Sequence, residues 1–216
     1  MRLYFDTEFT GLHQGTTLIS LGIISEDGRT FYAEFTDYDK AQVAPWIQEN
    51  VIQNLSFKDL QLLNQHADVD YKNRSIGLWG RAYFVRSNLS EWLKQFDSDQ
   101  FVSDVCHYDF VLLAELFGGA LKLPENVSAA CHDINQDIAS FYHISERAAF
   151  DKSREEIVEE SLQVIDGQKH NALYDAKVIK AIYNYIHSSN TDRNCMEDSG
   201  GRTDNEMVKD IHSIQE

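Results

Sequence analysis

The fold is decided by the N-terminal stretch Arg2-Leu3-Tyr4-Phe5-Asp6-Thr7-Glu8-Phe9-Thr10-Gly11-Leu12. An apolar run of strand-forming residues leads to two carboxylates, Asp6 and Glu8, and a Thr-Gly pair then breaks the strand. Residues two apart in a strand share a face, so these carboxylates lie side by side with backbones about 6 to 7 Å apart. Such a pair suits a hard divalent ion, Mg²⁺ or Mn²⁺. A strand end with two solvated acids is the alternative, and this pair alone does not decide between them.

The composition indicates one globular domain. The chain has 216 residues, 43% of them hydrophobic and 12% aromatic, which is enough for one sizeable core. Charged residues interrupt the N-terminal apolar stretch, so it does not predict a signal peptide, and no apolar run approaches the ~18 residues of a membrane span. The cysteines Cys106, Cys131 and Cys195 form no disulfide framework. We therefore expect a reducing, cytoplasmic location.

The formal net charge of −16 is unusual for a protein that binds nucleic acid, because phosphates are normally contacted by Lys and Arg. A locally acidic site is nevertheless what the chemistry needs if bound cations neutralise the phosphates. Long-range electrostatic attraction would be weak, which argues against tight binding to a duplex.

Strand and helix signals alternate along the chain. Strands are predicted over 16–25, 30–35 and 100–105 and just before residue 134, with an Asp27-Gly28 turn between the first two. Helices are predicted over 45–55, 56–63, 109–117, 136–142, 153–162 and 171–187. A further helix is predicted to begin at a cap, Ser87 or Ser90, and to end at residue 96. This order predicts an α/β fold around one mixed sheet. We expect 1–187 to form the domain and 188–216 to be a loosely ordered or disordered polar tail.

The segment 64–87 loses the periodicity of a regular element. Its basic and aromatic residues are Lys72, Arg74, Arg81, Arg86, Tyr71, Trp79, Tyr83 and Phe84. Basic residues interleaved with aromatic ones are typical of surfaces that bind single-stranded nucleic acid. A structured surface loop or an irregular strand is the more common explanation of such a stretch.

Two further acids begin apolar helical stripes. The stripes are Leu112, Leu113, Leu116 and Ala120 after Asp109, and Ile179, Ile182 and Ile186 after Asp175. A carboxylate on a core-facing stripe is costly unless it is paired. A helix N-cap would explain Asp109 but not Asp175, which lies inside its helix. We therefore expect four acids, Asp6, Glu8, Asp109 and Asp175, to converge, as a pair of divalent ions about 3.5 to 4 Å apart requires.

His170 lies five residues before Asp175, just ahead of the last predicted helix. From a loop at that point its side chain could reach the same site. A neutral imidazole next to an attacking water is the natural general base at about pH 7. A single histidine is more often structural, and it is the spacing to Asp175 that favours the functional interpretation.

Three short motifs resemble those of a known family. They are Asp-x-Glu in DTEFTGL, Tyr108-Asp109 in HYDFVLL, and His-x-Ala-x-x-Asp in HNALYDA. They resemble the exonuclease motifs of the DEDDh superfamily, which includes ribonuclease T, oligoribonuclease and the proofreading subunit of bacterial DNA polymerase. The first two motifs are weak alone, but the three in this order, spanning 6–175, are specific. The small size, with APWIQENVI and HNALYDA, is most similar to the stand-alone mycobacterial-type 3′–5′ exoribonucleases.

The resemblance implies a ribonuclease H-like fold with a central five-stranded mixed sheet flanked by helices. It also implies that two Mg²⁺ or Mn²⁺ ions are held by the four acids, and that His170 deprotonates the attacking water. Hydrolysis would release nucleoside 5′-monophosphates from a 3′ end. Related enzymes with a tyrosine base carry it four residues before the last Asp, where this chain has Asn171, which favours the histidine version.

By the same resemblance, Thr10, Gly11 and Leu12 contact the terminal nucleotide, with a tight turn as the alternative. Asp104 is another carboxylate near the middle motif and could replace Asp109 as a ligand. Two Cys-His pairs, 106–107 and 131–132, make a poor zinc site, because neighbouring strand residues point apart and no CxxC spacing occurs.

We therefore predict a metal-dependent 3′–5′ exonuclease acting on single-stranded RNA or short 3′ overhangs. A 3′–5′ DNA exonuclease is the alternative among enzymes. A non-catalytic nucleic-acid-binding module on the same fold is the alternative outside them, although a binding protein has no need of clustered carboxylates. The resemblance allows a homodimer as well as a monomer, and no membrane partner is expected.

Overall fold

The computed structural model describes residues 1–60, 64–97 and 100–199. The strands are β1 (Arg2–Phe9), β2 (Leu18–Ser25), β3 (Thr30–Phe35), β4 (His66–Asp70), β5 (Ser75–Gly80), β6 (Gln100–Ser103) and β7 (His132–Asp133). The helices are α1 (Pro45–Asn50), α2 (Ala82–Leu93), α3 (Cys106–Phe117), α4 (Ile134–Tyr142), α5 (Glu146–Asp151), α6 (Arg154–Glu160) and α7 (Ala172–Ser199). The strands form one mixed sheet in the order β4-β5-β3-β2-β1-β6-β7.

Strand direction places several strand ends together. β2 is antiparallel to both β1 and β3. β5 is parallel to β3, β6 is parallel to β1, and β7 is parallel to β6. β1, β3, β5, β6 and β7 therefore all end at one side of the sheet, which we call the carboxyl edge. In α/β sheets this edge is where ligands usually bind.

Helices cover both faces of the sheet, so the fold has three layers. On one face the core contains Leu3, Phe5, Leu21 and Phe31 from the strands, packed with Val85, Leu89 and Leu113 from α2 and α3. On the other face it contains Tyr4, Ile24 and Val102, packed with Ile138, Ile157, Ile179 and Ile182 from α4, α6 and α7. The alternation along β1 thus separates Leu3 and Phe5 from Tyr4, as expected for a strand buried on both sides. The prediction of an α/β fold around a mixed sheet is confirmed.

The sheet has seven strands, whereas the resemblance implied five. The two additional strands at one end, β4 and β5, come from segment 64–87, which was expected to be irregular. β4 is an edge strand with four of its five residues exposed, so it lacks the apolar alternation that marks a half-buried strand. β5 contains two glycines, which weaken the strand signal further.

Several helix boundaries also differ from the predictions. α2 begins at Ala82 rather than after Ser87 or Ser90, and α1 ends at Asn50, where a 3₁₀ turn continues the chain. α5 was not predicted. α7 continues past the predicted end at 187 to Ser199, and the remainder of the predicted tail, 200–216, lies outside the described residues. Among the described residues, no helix is both long and apolar enough to cross a bilayer.

Gly22 allows α7 to rest directly on the sheet. A Cβ added at Gly22 would lie 2.3 Å from the backbone carbon and oxygen of Ala172, at the start of α7.

We expect Gly22→Ala to push the start of α7 away, lowering the free energy of unfolding by ~1–3 kcal/mol and lowering activity as well. Urea unfolding measures the first effect. Ser20→Ala on the same strand is the control, because its buried hydroxyl has no hydrogen-bond partner within the described ranges. Equal stability of Gly22→Ala and the wild type would contradict this account.

Candidate active site

The carboxyl end of β1 positions the first two acids. Asp6 lies opposite Gly22 and Glu8 lies opposite Ser20 in the pairing with β2. Both side chains project towards the α7 face, because they alternate in phase with Tyr4, which packs in the core on that face. The register shifts between Glu8 and Phe9, so the pairing becomes irregular directly after the second carboxylate.

Asp109 lies in the first turn of α3 and is only 1% exposed. The helix begins at Cys106, so the interpretation of Asp109 as an N-cap is wrong. The hydroxyl of Thr7 donates to Asp109 Oδ1 at 2.6 Å, and the hydroxyl of Ser103 donates to Oδ2 at 2.5 Å. These bonds join α3 to the ends of β1 and β6, which fixes the carboxylate at the carboxyl edge.

The start of α7 holds Asp175 and His170 together. The backbone N–H of His170 donates to Asp175 Oδ2 at 2.9 Å. Asn171 caps the helix, since its Oδ1 accepts from the N–H groups of Leu173 at 3.2 Å and Tyr174 at 3.3 Å. Asn171 Nδ2 also donates to a backbone carbonyl of the 3₁₀ turn after α1, at 3.0 Å, and to a tyrosine hydroxyl on β3, at 3.2 Å. The loop before α7 is therefore anchored at its turning point.

Six side chains that can ligate a metal ion form two groups of three. Within each group the ligating atoms all lie within 4.8 Å of one another. The groups are Glu8, His170 and Asp175, and Asp6, Asp104 and Asp109. The charges of both groups act on Asp6, whose pKa is raised by carboxylates of each. The structure thus brings the four predicted acids and the predicted histidine into one site, and Asp104, the alternative ligand, lies there beside Asp6 and Asp109.

Asp104 and Asp109 differ in how their charges are compensated. Arg154 Nε donates to Asp104 Oδ2 at 2.9 Å, and a terminal nitrogen of Arg154 donates to Asn135 Oδ1 at 2.6 Å. Asn135 in turn donates to the backbone carbonyl of Asp104 at 2.7 Å. A guanidinium therefore pairs with Asp104, whereas the two hydroxyls that bond to Asp109 are neutral.

Burial is the largest cause of the raised pKa at all four predicted acids. It holds the pKa of Asp6 well above its usual range, reinforced by the charges of Asp109 and Asp175. Burial and the same two neighbours raise the pKa of Glu8 to about 8. The pKa of Asp109 rises to about 7 although its two hydroxyl donors oppose the shift, and that of Asp175 also rises to about 7. Ionising the whole set requires a compensating cation.

His170 lies at the exposed side of this group. Its Nδ1 is 3.8 Å from Glu8 Oε1, and its ring packs edge-on against Trp46 with centroids 5.0 Å apart. Trp46 belongs to α1 and is 55% exposed. Burial, and then the charge of Lys169, lowers the pKa of His170 below its usual value of 6.5. The imidazole is therefore neutral at about pH 7 and can accept a proton.

Thr10, Gly11 and Leu12 form the turn after β1. Thr10 is 2% exposed, and its hydroxyl bonds to Gln42 Oε1 at 2.5 Å and to the N–H of Thr17 at 2.9 Å. These contacts support the tight-turn interpretation of Thr10. Leu12 is 75% exposed at the same turn. Nucleotide contact by these three residues stays a prediction.

The hydroxyls of Thr7 and Ser103 and the guanidinium of Arg154 were not identified from the sequence. No local pattern marks them, because each reaches its carboxylate through the fold. The cysteines of the two Cys-His pairs do meet, with their sulfurs 3.0 Å apart. His132, however, is hydrogen-bonded through Nε2 to Asp137 Oδ2 at 2.5 Å. Within the described ranges, the only groups of three potential ligands are the two at the acidic site, so a zinc site gains no support.

Two solved structures share the fold of this chain. Pop2p of S. pombe, in a form with Mg²⁺ and Mn²⁺ bound, superposes with a TM-score of 0.60 at 16% identity, covering 88% of this chain and 84% of that chain. The nuclease domain of 3'hExo, a DEDDh family member bound to rAMP, superposes with a TM-score of 0.56 at 13% identity, covering 87% and 92%. Both similarities show the ribonuclease H-like fold.

Sequence comparison identifies the family. The model of the Rv2179c-like 3'-5' exoribonuclease domain matches residues 1–187. The 3'-5' exoribonuclease Rv2179c of Mycobacterium tuberculosis (strain ATCC 25618 / H37Rv) is 30% identical over 138 residues, which cover 63% of this chain and 73% of that protein. The resemblance to DEDDh exonucleases is thereby confirmed. The chain belongs to the Rv2179c-like 3'-5' exoribonuclease domain family and is a 3′–5′ exonuclease.

Proposed function

We propose that this exonuclease removes nucleotides from the 3′ end of single-stranded RNA or short 3′ overhangs and releases nucleoside 5′-monophosphates. The observation that carries the proposal is the meeting of Asp6, Glu8, Asp109 and Asp175 with His170 at the carboxyl edge. The exoribonuclease activity in the name of the mycobacterial relative supports RNA as the substrate. A cytoplasmic location and a homodimer stay predictions.

The donor set fits two hard divalent ions, Mg²⁺ or Mn²⁺. It offers only carboxylate oxygens from the four acids, and burial makes their ionised forms dependent on a nearby cation. We place Asp109 rather than Asp104 among the ligands, because Arg154 already compensates the charge of Asp104. When bound, such ions neutralise the phosphate and stabilise the attacking and leaving oxygens of an in-line displacement.

His170 is the proposed general base. Its neutral imidazole lies beside Glu8, at the margin of the acidic group, where it can accept a proton from the attacking water. The ring is held from one side by Trp46, and the backbone N–H of His170 holds Asp175. One short loop thus orients both the base and one proposed ligand.

The test compares 5′-labelled RNA and DNA oligomers of the same sequence, each incubated with Mn²⁺, with Mg²⁺ or with EDTA. We expect an RNA ladder that shortens from the 3′ end, is abolished by EDTA and yields nucleoside 5′-monophosphates on chromatography. Degradation of DNA alone would instead support the DNA exonuclease. Absence of cleavage of either substrate with both metals would overturn the proposal.

The raised pKa values predict an unusual pH dependence for the metal-free protein. The pKa of Glu8 is about 8 in the folded state and ordinarily 4.5, and the pKa of Asp109 is about 7 in the folded state and ordinarily 3.8. At pH values between the ordinary and the folded pKa, the folded state binds more protons than the unfolded chain. Stability in EDTA should therefore fall as the pH rises through this window. Added Mn²⁺ should raise Tm more at about pH 8 than at about pH 5, because binding requires ionised carboxylates. Thermal unfolding with and without Mn²⁺ measures this, and a stabilisation by Mn²⁺ that does not depend on pH would contradict it.

A further inference from the structure

A cavity opens at the carboxyl edge, beyond the ends of β3 and β5. It has a volume of about 710 Å³. Its walls include two cations, Lys40 and Arg81, and three aromatic side chains, Tyr38, Trp79 and Tyr83. We call it the basic–aromatic groove. Most of its lining residues belong to segment 64–87, whose basic and aromatic residues are interleaved in the sequence.

The groove is locally cationic in a strongly acidic chain. Lys40 and Arg81 are both exposed, and neither forms an ion pair with a carboxylate of the described residues. The acid in the lining is Asp37, and both of its oxygens accept from the backbone N–H of Ala82 at 3.1 Å, at the start of α2. Asp37 is therefore bonded to the first turn of α2, and the two cations outnumber this one carboxylate in the lining and can contact a phosphate.

The aromatic side chains give the groove surfaces on which bases can stack. Tyr83 is 59% exposed, and Trp79 and Tyr38 are half-buried with part of each surface open. Stacking on aromatic rings beside a cationic path is how proteins hold single-stranded nucleic acid with little dependence on sequence. The combination fits a polyanion with planar bases better than it fits a protein segment.

Strand order sets the distance from the groove to the acidic site. β3 lies two strands from β1 and β5 lies three strands from it. Since neighbouring strands are about 4.8 Å apart, the groove begins about 10 to 15 Å along the carboxyl edge from Asp6 and Glu8. A single strand whose 3′ end lies at these acids needs only a few nucleotides to reach it.

Hydrogen bonds connect the groove to the turn after β1. The amide of Gln42, in the 3₁₀ turn that carries Lys40, donates to the carbonyl of Gly15 at 3.0 Å. The oxygen of that amide accepts from the Thr10 hydroxyl at 2.5 Å, and the N–H of Asp39 donates to Thr17 Oγ1 at 2.9 Å. The segment that presents Lys40 is thus fixed to the turn that follows β1, the strand that carries Asp6 and Glu8.

We propose that the basic–aromatic groove binds the nucleotides of single-stranded RNA that lie upstream of the scissile phosphodiester. The proposal rests on the function proposed above and adds a dependence of cleavage on substrate length. Lys40 and Arg81 contact phosphates, and Tyr83 and Trp79 stack on bases. A dinucleotide occupies only the acidic site, whereas a longer strand also occupies the groove.

The test measures kcat and KM with Mn²⁺ on an RNA dinucleotide and on an RNA of about eight nucleotides, within the usual size of a single-strand site. For Lys40→Ala/Arg81→Ala and for Tyr83→Ala, we expect kcat/KM on the longer RNA to fall at least about tenfold, mainly through KM. The rate on the dinucleotide should not change. Binding of the longer RNA should also lose about 1.4 from the slope of log affinity against log salt when both cations are removed.

Arg86→Ala is the matched control, because Arg86 is exposed on the same helix as Tyr83 but lies outside the groove. It should leave both rates and the salt slope unchanged. A wild-type protein that cuts no RNA would overturn the proposed function itself. A wild-type protein that cuts both lengths, with groove variants that lose nothing or lose equally on both, would overturn the groove proposal alone.

Discussion

Asp6→Asn is expected to lower kcat on RNA by about 10²- to 10³-fold, the scale for loss of a group that stabilises charge in the transition state. The substitution keeps the shape of the side chain but removes its charge from the centre of the acidic group. The same change should raise Tm in EDTA, because the buried carboxylate of Asp6 is destabilised by its acidic neighbours and an amide is not. Activity assays and thermal unfolding, both with and without Mn²⁺, measure the two effects.

Asp104→Asn is the matched control for Asp6→Asn. Asp104 lies in the same group of carboxylates, but its charge is paired with Arg154 at 2.9 Å. We expect only about a tenfold loss, as for a residue that orients ligands rather than binding the ion. An Asp6→Asn protein with wild-type turnover would contradict the proposed site. Equal losses for both variants would place Asp104 among the ligands.

His170→Ala is expected to lower kcat by about 10²-fold or more, the usual contribution of a general base. The wild-type rate should rise with pH through the pKa of His170, which lies below 6.5, and then level off. The variant should lose this acidic limb, since no other group takes the proton at that point. Affinity for Mn²⁺ should survive, because the four acids remain.

His107→Ala is the control for His170→Ala, since His107 is an exposed histidine on the first turn of α3, close to Asp109 in the sequence. It should leave the rate and the pH profile unchanged. Calorimetry that shows loss of Mn²⁺ binding in His170→Ala would make this residue a ligand rather than the base. An unchanged rate would remove it from the reaction.

Local periodicity was enough to single out most of the acids that the structure brings together. The period of two in β1 pairs Asp6 with Glu8, and the apolar stripe of α7 marks Asp175 as an acid that needs a partner. The partners of Asp109 could not be predicted this way. Thr7 is 102 positions away in the sequence and its hydroxyl meets Asp109 only after the sheet has formed. The pairing of Asp104 with Arg154, 50 positions apart, is equally non-local.

The additional strands illustrate a different limit. β4 has exposed residues on both faces, so burial does not impose a pattern on its sequence. Its place in the sheet is fixed by hydrogen bonds to β5, with Val69 opposite Ile76. Such a strand is specified by its neighbour rather than by its own composition. The same stretch was recognised as basic and aromatic, but the cavity that these residues form depends on where β3 ends.

Asn171 limits how this enzyme could evolve. Its amide caps α7 and bonds to both β3 and the turn after α1, at the position where tyrosine-base relatives carry their catalytic residue. A tyrosine there would forfeit the cap, at a cost of about 0.5–2 kcal/mol, before any new base could act. A lineage moving from the proposed histidine base to a tyrosine base would therefore pass through a less stable ancestor, unless compensating substitutions arose first.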